Sequence, residues 1–288
     1  MSHPTVPGFV RARSTAGFGL TELMVAMVLG VIVIGAAFAI FQSSQLTYRS
    51  HEGLGRIQES ARVAFELMSR DIRAAGGSAC SNFSVVEGAD ERAERFRDNA
   101  VTGNASSLRV VSGDDTAYRV VNSTSTSVTL HSDDVDEASD VFRVNDYLIL
   151  CNARKTHIVQ ATSMSGRTVN FAALPGGYVP TGDEYAPPAA VVLARYRDAR
   201  WFVQDNGRGG RSLFVARNGG DPEEVAEGVQ ALALEYLRDG ATNYTAAPAN
   251  WNDVIAVRIN MTLQGDDLEG NTIERTMSNV VSMRGRTL

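Results

Sequence analysis

Lysine is nearly missing from this chain of 288 residues: Lys155 is the only one, and arginine carries almost all of the positive charge. Acidic residues outnumber basic ones by 33 to 27, for a formal net charge of −6. A dedicated nucleic-acid binder normally shows a basic patch or a high pI, so no direct nucleic-acid site is expected. Cysteine is scarce as well. Cys80 and Cys151 are too few for a disulfide-scaffolded small domain or for a cysteine-only zinc site. Proline is absent between Pro7 and Pro175, so nothing in that interval forces a helix to stop. Disorder is excluded by a composition with 44% hydrophobic and 21% charged residues. The length allows one large domain or two small ones, with enough chain to bury a real core.

Catalytic signatures are missing too. There is no G-x-S-x-G, no H-E-x-x-H and no P-loop. The four histidines, His3, His51, His131 and His157, are scattered, and Gly207-Arg208-Gly209-Gly210 reads as a hairpin turn rather than a phosphate cradle. The acidic tract Asp133, Asp134, Asp136, Glu137 and Asp140 has carboxylates for a calcium ion but lacks the EF-hand spacing and its glycine. It reads as a solvated loop, as does Asp266-Asp267-Leu268-Glu269. No catalytic residue, metal site or cofactor is expected, and nothing proposes an enzyme.

What is present is one large asymmetry. From Phe18 to Phe41 the only charge is Glu22. As a helix this stretch spans roughly 36 Å, enough to cross a hydrocarbon core of about 30 Å. Residues 1–17 carry Arg11 and Arg13 and no acid, which predicts a cytoplasmic N-terminus with the remainder translocated. Three readings compete. Ala37-Phe38-Ala39 supplies the A-x-A triplet of a cleaved secretory signal. An uncut signal anchor is the second. The third rests on the junction Gly17-Phe18-Gly19-Leu20-Thr21-Glu22-Leu23.

A carboxylate within an apolar span costs a few kcal/mol at mid-bilayer and calls for a reason. An amine brought close by, within one chain or from a neighbour, could neutralise Glu22 at low dielectric. A secretory signal or plain anchor has no use for this glutamate, unless it merely snorkels at the membrane edge. The junction resembles that of the type IV pilin and pseudopilin family, G-F-[TS]-L-x-E-L, at every position except Gly19, where threonine or serine is usual. The resemblance implies that prepilin peptidase cuts after Gly17 and methylates the new N-terminus at Phe18, and that Glu22 acts in assembly.

Beyond the apolar segment, Leu54, Ile57, Ala61, Ala64, Met68 and Ile72 recur at spacings of three and four, with Phe65 alongside and charged residues flanking. Gly76-Gly77 supplies a stop. A helix over 18–75 follows, about 87 Å long if continuous, with Gly53 and Gly55 as weak points. After a polar stretch, 78–107, the chain reads as short strands at 108–111, 118–121, 127–131, 141–151, 157–162, 168–171, 190–196, 200–204, 212–216, 229–237, 254–263 and 272–283. The expected class is α+β: a leader at 1–17, a long helix at 18–75 with its 18–41 part in membrane or fibre core, and a β-rich domain at 76–288 packed against the helix.

The downstream order is similar to PilW-like minor pilins, and also to the minor pseudopilin J of type II secretion. The points of similarity are Ala75-Gly-Gly-Ser-Ala-Cys80, Asp146-Tyr-Leu-Ile-Leu-Cys151, Leu213-Phe-Val-Ala-Arg217, Val225-Ala-Glu-Gly-Val229, Tyr236, Trp251-Asn-Asp-Val254 and Ala256-Val-Arg-Ile259. They are diffuse; the N-terminal junction is the specific one. The resemblance implies a non-enzymatic subunit of the complex that primes pilus assembly, serving adhesion, twitching motility or DNA uptake. Its partners would be other minor pilins, the major pilin, prepilin peptidase, the inner-membrane assembly platform and membrane lipid. Its place would be the inner membrane, with the C-terminal domain periplasmic, and then the fibre. A type II pseudopilin, or a membrane-tethered periplasmic enzyme or binding protein, are the alternatives. In an oxidising periplasm Cys80 and Cys151 would pair rather than stay separate buried thiols.

Overall fold

The computed structural model describes residues 19–80, 84–183, 191–266 and 272–283. Helix α1, Leu20–Ala74, comes first, followed by β1, Val85–Glu87, the short helix α2, Glu91–Asp98, and β2, Val101–Gly103. Then come β3, Ser107–Ser123; β4, Ser127–Leu130; β5, Tyr147–Cys151; β6, Lys155–Ser165; and β7, Thr168–Phe171. The C-terminal strands are β8, Val192–Asp205; β9, Arg211–Arg217; β10, Pro222–Glu227; β11, Val229–Arg238; β12, Val254–Asp266; and β13, Thr272–Ser282. A long N-terminal helix followed by antiparallel strands is the α+β layout of the pilin fold. By contacts the chain divides into two units, Met1–Glu52 and Gly53–Leu288.

In the second unit, six strands pair in a closed ring. β3 pairs with β4, β4 with β7, β7 with β6, β6 with β5, β5 with β8, and β8 returns to β3, every pairing antiparallel. Closure leaves these strands no free edge and encloses an apolar filling in which Leu130, Leu148, Leu150 and Leu193 are fully buried. Phe142 completes it and meets Tyr118 edge to face at 5.3 Å. Register shifts in the β3–β8, β3–β4 and β6–β7 pairings give the local bends that closing so small a ring requires.

β3 and β8 are long enough to leave the barrel. The first half of β3 pairs with β2, and the second half of β8 pairs with β9, which pairs with β10. This extension and the separate sheet β11-β12-β13 share a second core with α1. Ile57, Ala61, Ala64, Met68 and Ile72 of α1 are buried there, together with Trp201, Leu213, Tyr236, Val257, Ile259 and Met261. Helix α1 ends where Gly76 takes φ +69° and donates its N–H to Val111 O at 2.9 Å; Gly113 N–H then donates to Gly77 O at 2.7 Å. A side chain at Gly113 would crowd Gly77 O and Ile149 Cδ1, both 3.3 Å from a Cβ there.

The structure corrects several sequence expectations. The runs at 118–121 and 108–111 are one strand, β3, and those at 190–196 and 200–204 are one strand, β8; its Val192–Asp205 bounds start later than expected. In β3 a bulge lies between the two runs, at Asp114-Asp115-Thr116, because β8 pairs with Gly113 before it and with Ala117 after it. The expected strand 141–151 is limited to Tyr147–Cys151, since Phe142 turns into the barrel. The polar stretch 78–107 holds β1, α2 and β2. Asp90 caps α2, its Oδ1 accepting from the N–H of Arg92 and Ala93 at 2.9 and 3.1 Å, and only Ala93 and Phe96 of this helix are buried. β10 was unforeseen because its acids mask the strand pattern.

Two expected outcomes follow for the two cores. Leu150→Ala in the barrel and Met68→Ala beneath α1 should each lower unfolding stability by about 2–5 kcal/mol. Equilibrium denaturation of the two variants checks this.

Candidate functional site

The N-terminal part of α1, Leu20–Gln45, is long and apolar enough to cross a membrane, and among the described residues none of this span is buried. Leu23, Met24, Met27, Val31, Ile34, Phe38 and Phe41 are all more than half exposed. Apolar surface on this scale requires lipid or other helices. Glu22 sits in the first turn of α1, exposed, where the N-terminal end of the helix dipole favours an acid. Among the described residues no ion-pair partner to Glu22 is present. Gly17 and Phe18, the expected cleavage and methylation positions, lie outside the described residues.

A second acid of the same helix is in the opposite situation. Asp71 is 7% exposed, and Trp201 Nε1 donates to its Oδ2 at 3.0 Å. Guanidinium nitrogens of Arg197 and Arg217 stand 3.7 Å from its two oxygens, and Arg197 is equally close to Asp114. A buried carboxylate needs this company, because desolvation would otherwise exceed any gain from burying it. Asp71 falls seven residues after Ala64 and fourteen after Ile57, on the face that packs. The contacts therefore fix both the rotation and the axial position of α1 on β8 and β9. On the other side, Asn279 Nδ2 of β13 donates to Ser69 Oγ at 3.3 Å. This seat was not read from the sequence; the available signal was an acid at a position of the apolar stripe.

Just past the helix, Cys80 and Cys151 form a disulfide, with Cα atoms 6.1 Å apart. It joins the segment following α1 to the end of β5, so a covalent link reinforces the hydrogen bonds of Gly76 and Gly77. In the chain-entropy model, closing a loop of this size contributes about 4 kcal/mol. Close to it lies His157, 4% exposed, opposite Leu150 in the β5–β6 pairing, its ring 5.2 Å from that of Tyr178. Burial pushes the His157 pKa down, partly opposed by Glu87 and reinforced by Lys155. Among the described residues its Nε2 has no hydrogen-bond partner. Tyr178, which also lies beneath Lys155 Nζ, accepts from Asn152 Nδ2 at 2.7 Å and donates to Asp183 Oδ2 at 2.9 Å.

The acidic tract is used locally. Asp134 accepts from the backbone N–H of Arg119 at 2.8 Å and from its guanidinium at 2.6 Å, which holds the Asp134 carboxyl below its ordinary range. Asp140 Oδ2 accepts from Glu137 N–H at 3.2 Å. Among the described residues no group of three or more His, Cys, Asp or Glu has metal-holding geometry. Asp267 and Glu269 lie outside the described residues.

Residues 12–38 match the family model of the prokaryotic N-terminal methylation motif. The chain is prepilin-like. The matched stretch contains Gly17, Phe18, Glu22 and most of the exposed apolar helix. No curated protein and no solved structure gives a significant match. A prepilin-like N-terminus together with that helix points to membrane anchoring, and implies dealings with prepilin peptidase and with other pilus components in general.

Three outcomes follow for the seat. Asp71→Ala, which leaves Trp201 Nε1 without its acceptor and removes a carboxylate from beside Arg197 and Arg217, should cost about 3–5 kcal/mol in denaturant unfolding, and Asp71→Asn less. Cys80→Ser with Cys151→Ser should cost about 2–4 kcal/mol by the same measurement. The unfolded chain protonates His157 more readily than the folded one does. Its contribution is therefore complete above the ordinary histidine value of about 6.5 and is lost as pH falls below it. Unfolding measured from pH 7.5 to 5 should show a shallower decline for His157→Gln than for the unaltered chain.

Proposed function

We propose that the chain is a minor type IV pilin of the PilW-like kind, made as a precursor. Prepilin peptidase removes residues 1–17 after Gly17 and methylates Phe18. The mature protein sits in the inner membrane with its N-terminus on the cytoplasmic side and residues 76–288 in the periplasm. It then enters a fibre through α1. Its work is structural and non-enzymatic: it joins other minor pilins and the major pilin at the assembly platform and helps to prime a pilus used in adhesion, twitching motility or DNA uptake.

The carrying observation is the methylation motif over residues 12–38, continued by an apolar helix that is exposed among the described residues. Glu22 supplies the mechanism. Placed among apolar neighbours in a fibre, its carboxylate requires a cation, and the α-amine of a neighbouring subunit's Phe18 is of the right charge. Subunits out of axial register leave both charges unpaired, so the pair selects register as well as association. A minor pseudopilin of a type II secretion machine would carry the same N-terminus, and neighbouring genes separate the two. The size of the body favours the pilin, since members of the pseudopilin J group are usually smaller.

Intact mass and N-terminal sequencing, from hosts with and without prepilin peptidase, test the processing. The expected chain begins at N-methyl-Phe18 only when the peptidase is present; a start at Ile40 or an uncut chain overturns it. Glu22→Ala should be processed normally yet enter sheared filaments many-fold less well, and normal incorporation of that variant refutes the role of the carboxylate.

A further inference from the structure

One mouth of the barrel is closed by turns and side chains rather than by strand pairing. His157 lies across from Leu150 of β5, and Val159 and Ala161 follow it at two-residue steps on β6, so its ring is on the face that fills the barrel. Segment 174–183 crosses this mouth. Leu174 and Pro180 are buried, and Tyr178 packs on the barrel filling with its ring 5.2 Å from the imidazole. Pro175–Gly177 and Pro180–Gly182 are single 3-10 turns. The segment is tied to the ring where Leu174 N–H donates to Ser125 O at 2.7 Å and Thr181 N–H to Ser123 Oγ at 3.0 Å. Asn152 Nδ2 holds the Tyr178 hydroxyl at 2.7 Å.

A proton on His157 finds no counterion in the closed mouth. The imidazole is buried, and among the described residues its Nε2 has no hydrogen-bond partner. Glu87 stands beside it on β1, but Lys155 Nζ already holds that carboxylate at 3.3 Å. Lys155 itself faces the imidazole from β6 and lies over the Tyr178 ring. Asp183 accepts from Tyr178 and pairs with Arg154 at 3.2 Å. An imidazolium here would sit against apolar side chains, with a like charge nearby and every one of these carboxylates shared. Burial keeps the imidazole neutral, with Glu87 opposing and Lys155 reinforcing. The wall that yields is the one with least backbone pairing. β5 is joined to β6 by an antiparallel ladder from Tyr147 to Cys151, whereas segment 174–183 belongs to no strand.

We propose that segment 174–183 is an acid-released cap on the barrel: a proton taken up by His157 opens it while the ring of strands stays paired. Opening admits water to the imidazolium and parts Tyr178 from Asn152 and Lys155. The cap is closed above the ordinary histidine value of about 6.5, and opening becomes easier as pH falls below it. This device is independent of the pilin reading.

Hydrogen exchange read by mass spectrometry tests it, on the full chain in detergent at pH 7.5 and 5.0, with labelling times scaled to the intrinsic rate. Exchange across 174–183 should rise several-fold at the lower pH, while β11 and β12 keep their protection. In His157→Gln the ratio of the two rates should fall to about one. Two further variants separate opening driven by a proton from simple loosening. Lys155→Gln frees Glu87 for the imidazolium and should shrink the ratio, whereas Glu87→Gln removes the opposing charge and should enlarge it. A purely structural role for these side chains would change exchange alike at both pH values. No rise across 174–183, an equal rise in β11 and β12, an undiminished ratio in His157→Gln, or a ratio that Lys155→Gln and Glu87→Gln leave unchanged would each overturn the proposal.

Discussion

Helix α1 is held in the body of this molecule by an apolar stripe and oriented there by one buried carboxylate. Apolar packing of Ile57, Ala61, Ala64, Met68 and Ile72 supplies much of the free energy but little direction, because such surfaces tolerate small rotations and slides. Asp71 removes that freedom. Its acceptors must meet Trp201 Nε1 and two guanidinium groups on β8 and β9, and any other setting of the helix would strand a charge in the core. The hydrogen bonds at Gly76 and Gly77 and the Cys80–Cys151 link then secure the end of the same helix to β3 and β5. The remaining strands are arranged around that seat.

Two cores result, and two strands serve both. β3 and β8 run through the barrel and out of it, and the β3 bulge between Gly113 and Ala117 marks where the pair passes from the closed ring to the sheet beneath α1. Trp201 belongs to the helix core, whereas Leu193, eight residues earlier on the same strand, belongs to the barrel. Distortion of either strand is therefore felt by both cores. The arrangement also explains why a glycine stands at 113, where the bulge brings backbone from the helix terminus against the strand.

Two acids of α1, Asp71 and Glu22, meet different surroundings. Asp71 finds its cations within the chain, at 3.7 Å from two arginines. Glu22 lies on a stretch whose apolar side chains are exposed, with no such partner among the described residues. An acid already satisfied orients its own chain; one left unsatisfied is available to orient a neighbour. That contrast underlies the assembly role proposed for Glu22.

Much of the helix and the class of the body were legible in the sequence. The charge-free run, the three-and-four spacing and Gly76-Gly77 are local signals, set by propensity and periodicity along contiguous residues, and α1 ends at Ala74 accordingly. In the sequence Ile255, Val257, Ile259, Met261 and Leu263 alternate with polar or smaller residues, and all but Ile255 lie in the core on β12. The prepilin-type junction was also readable, being a contiguous motif. Ring closure was not, because whether β8 returns to β3 depends on pairing between residues some eighty positions apart, which no local pattern encodes. Nor was the seat of Asp71: in the sequence it is one more charge beside Arg70, and only the arrival of Trp201, Arg197 and Arg217 from distant strands makes it a buried anchor. Local order in this protein is determined by the chain's own periodicity. Closure, charge pairing and the burial of His157 are decided by tertiary structure, since each depends on which distant groups are brought together, or left without a neighbour, when the chain folds.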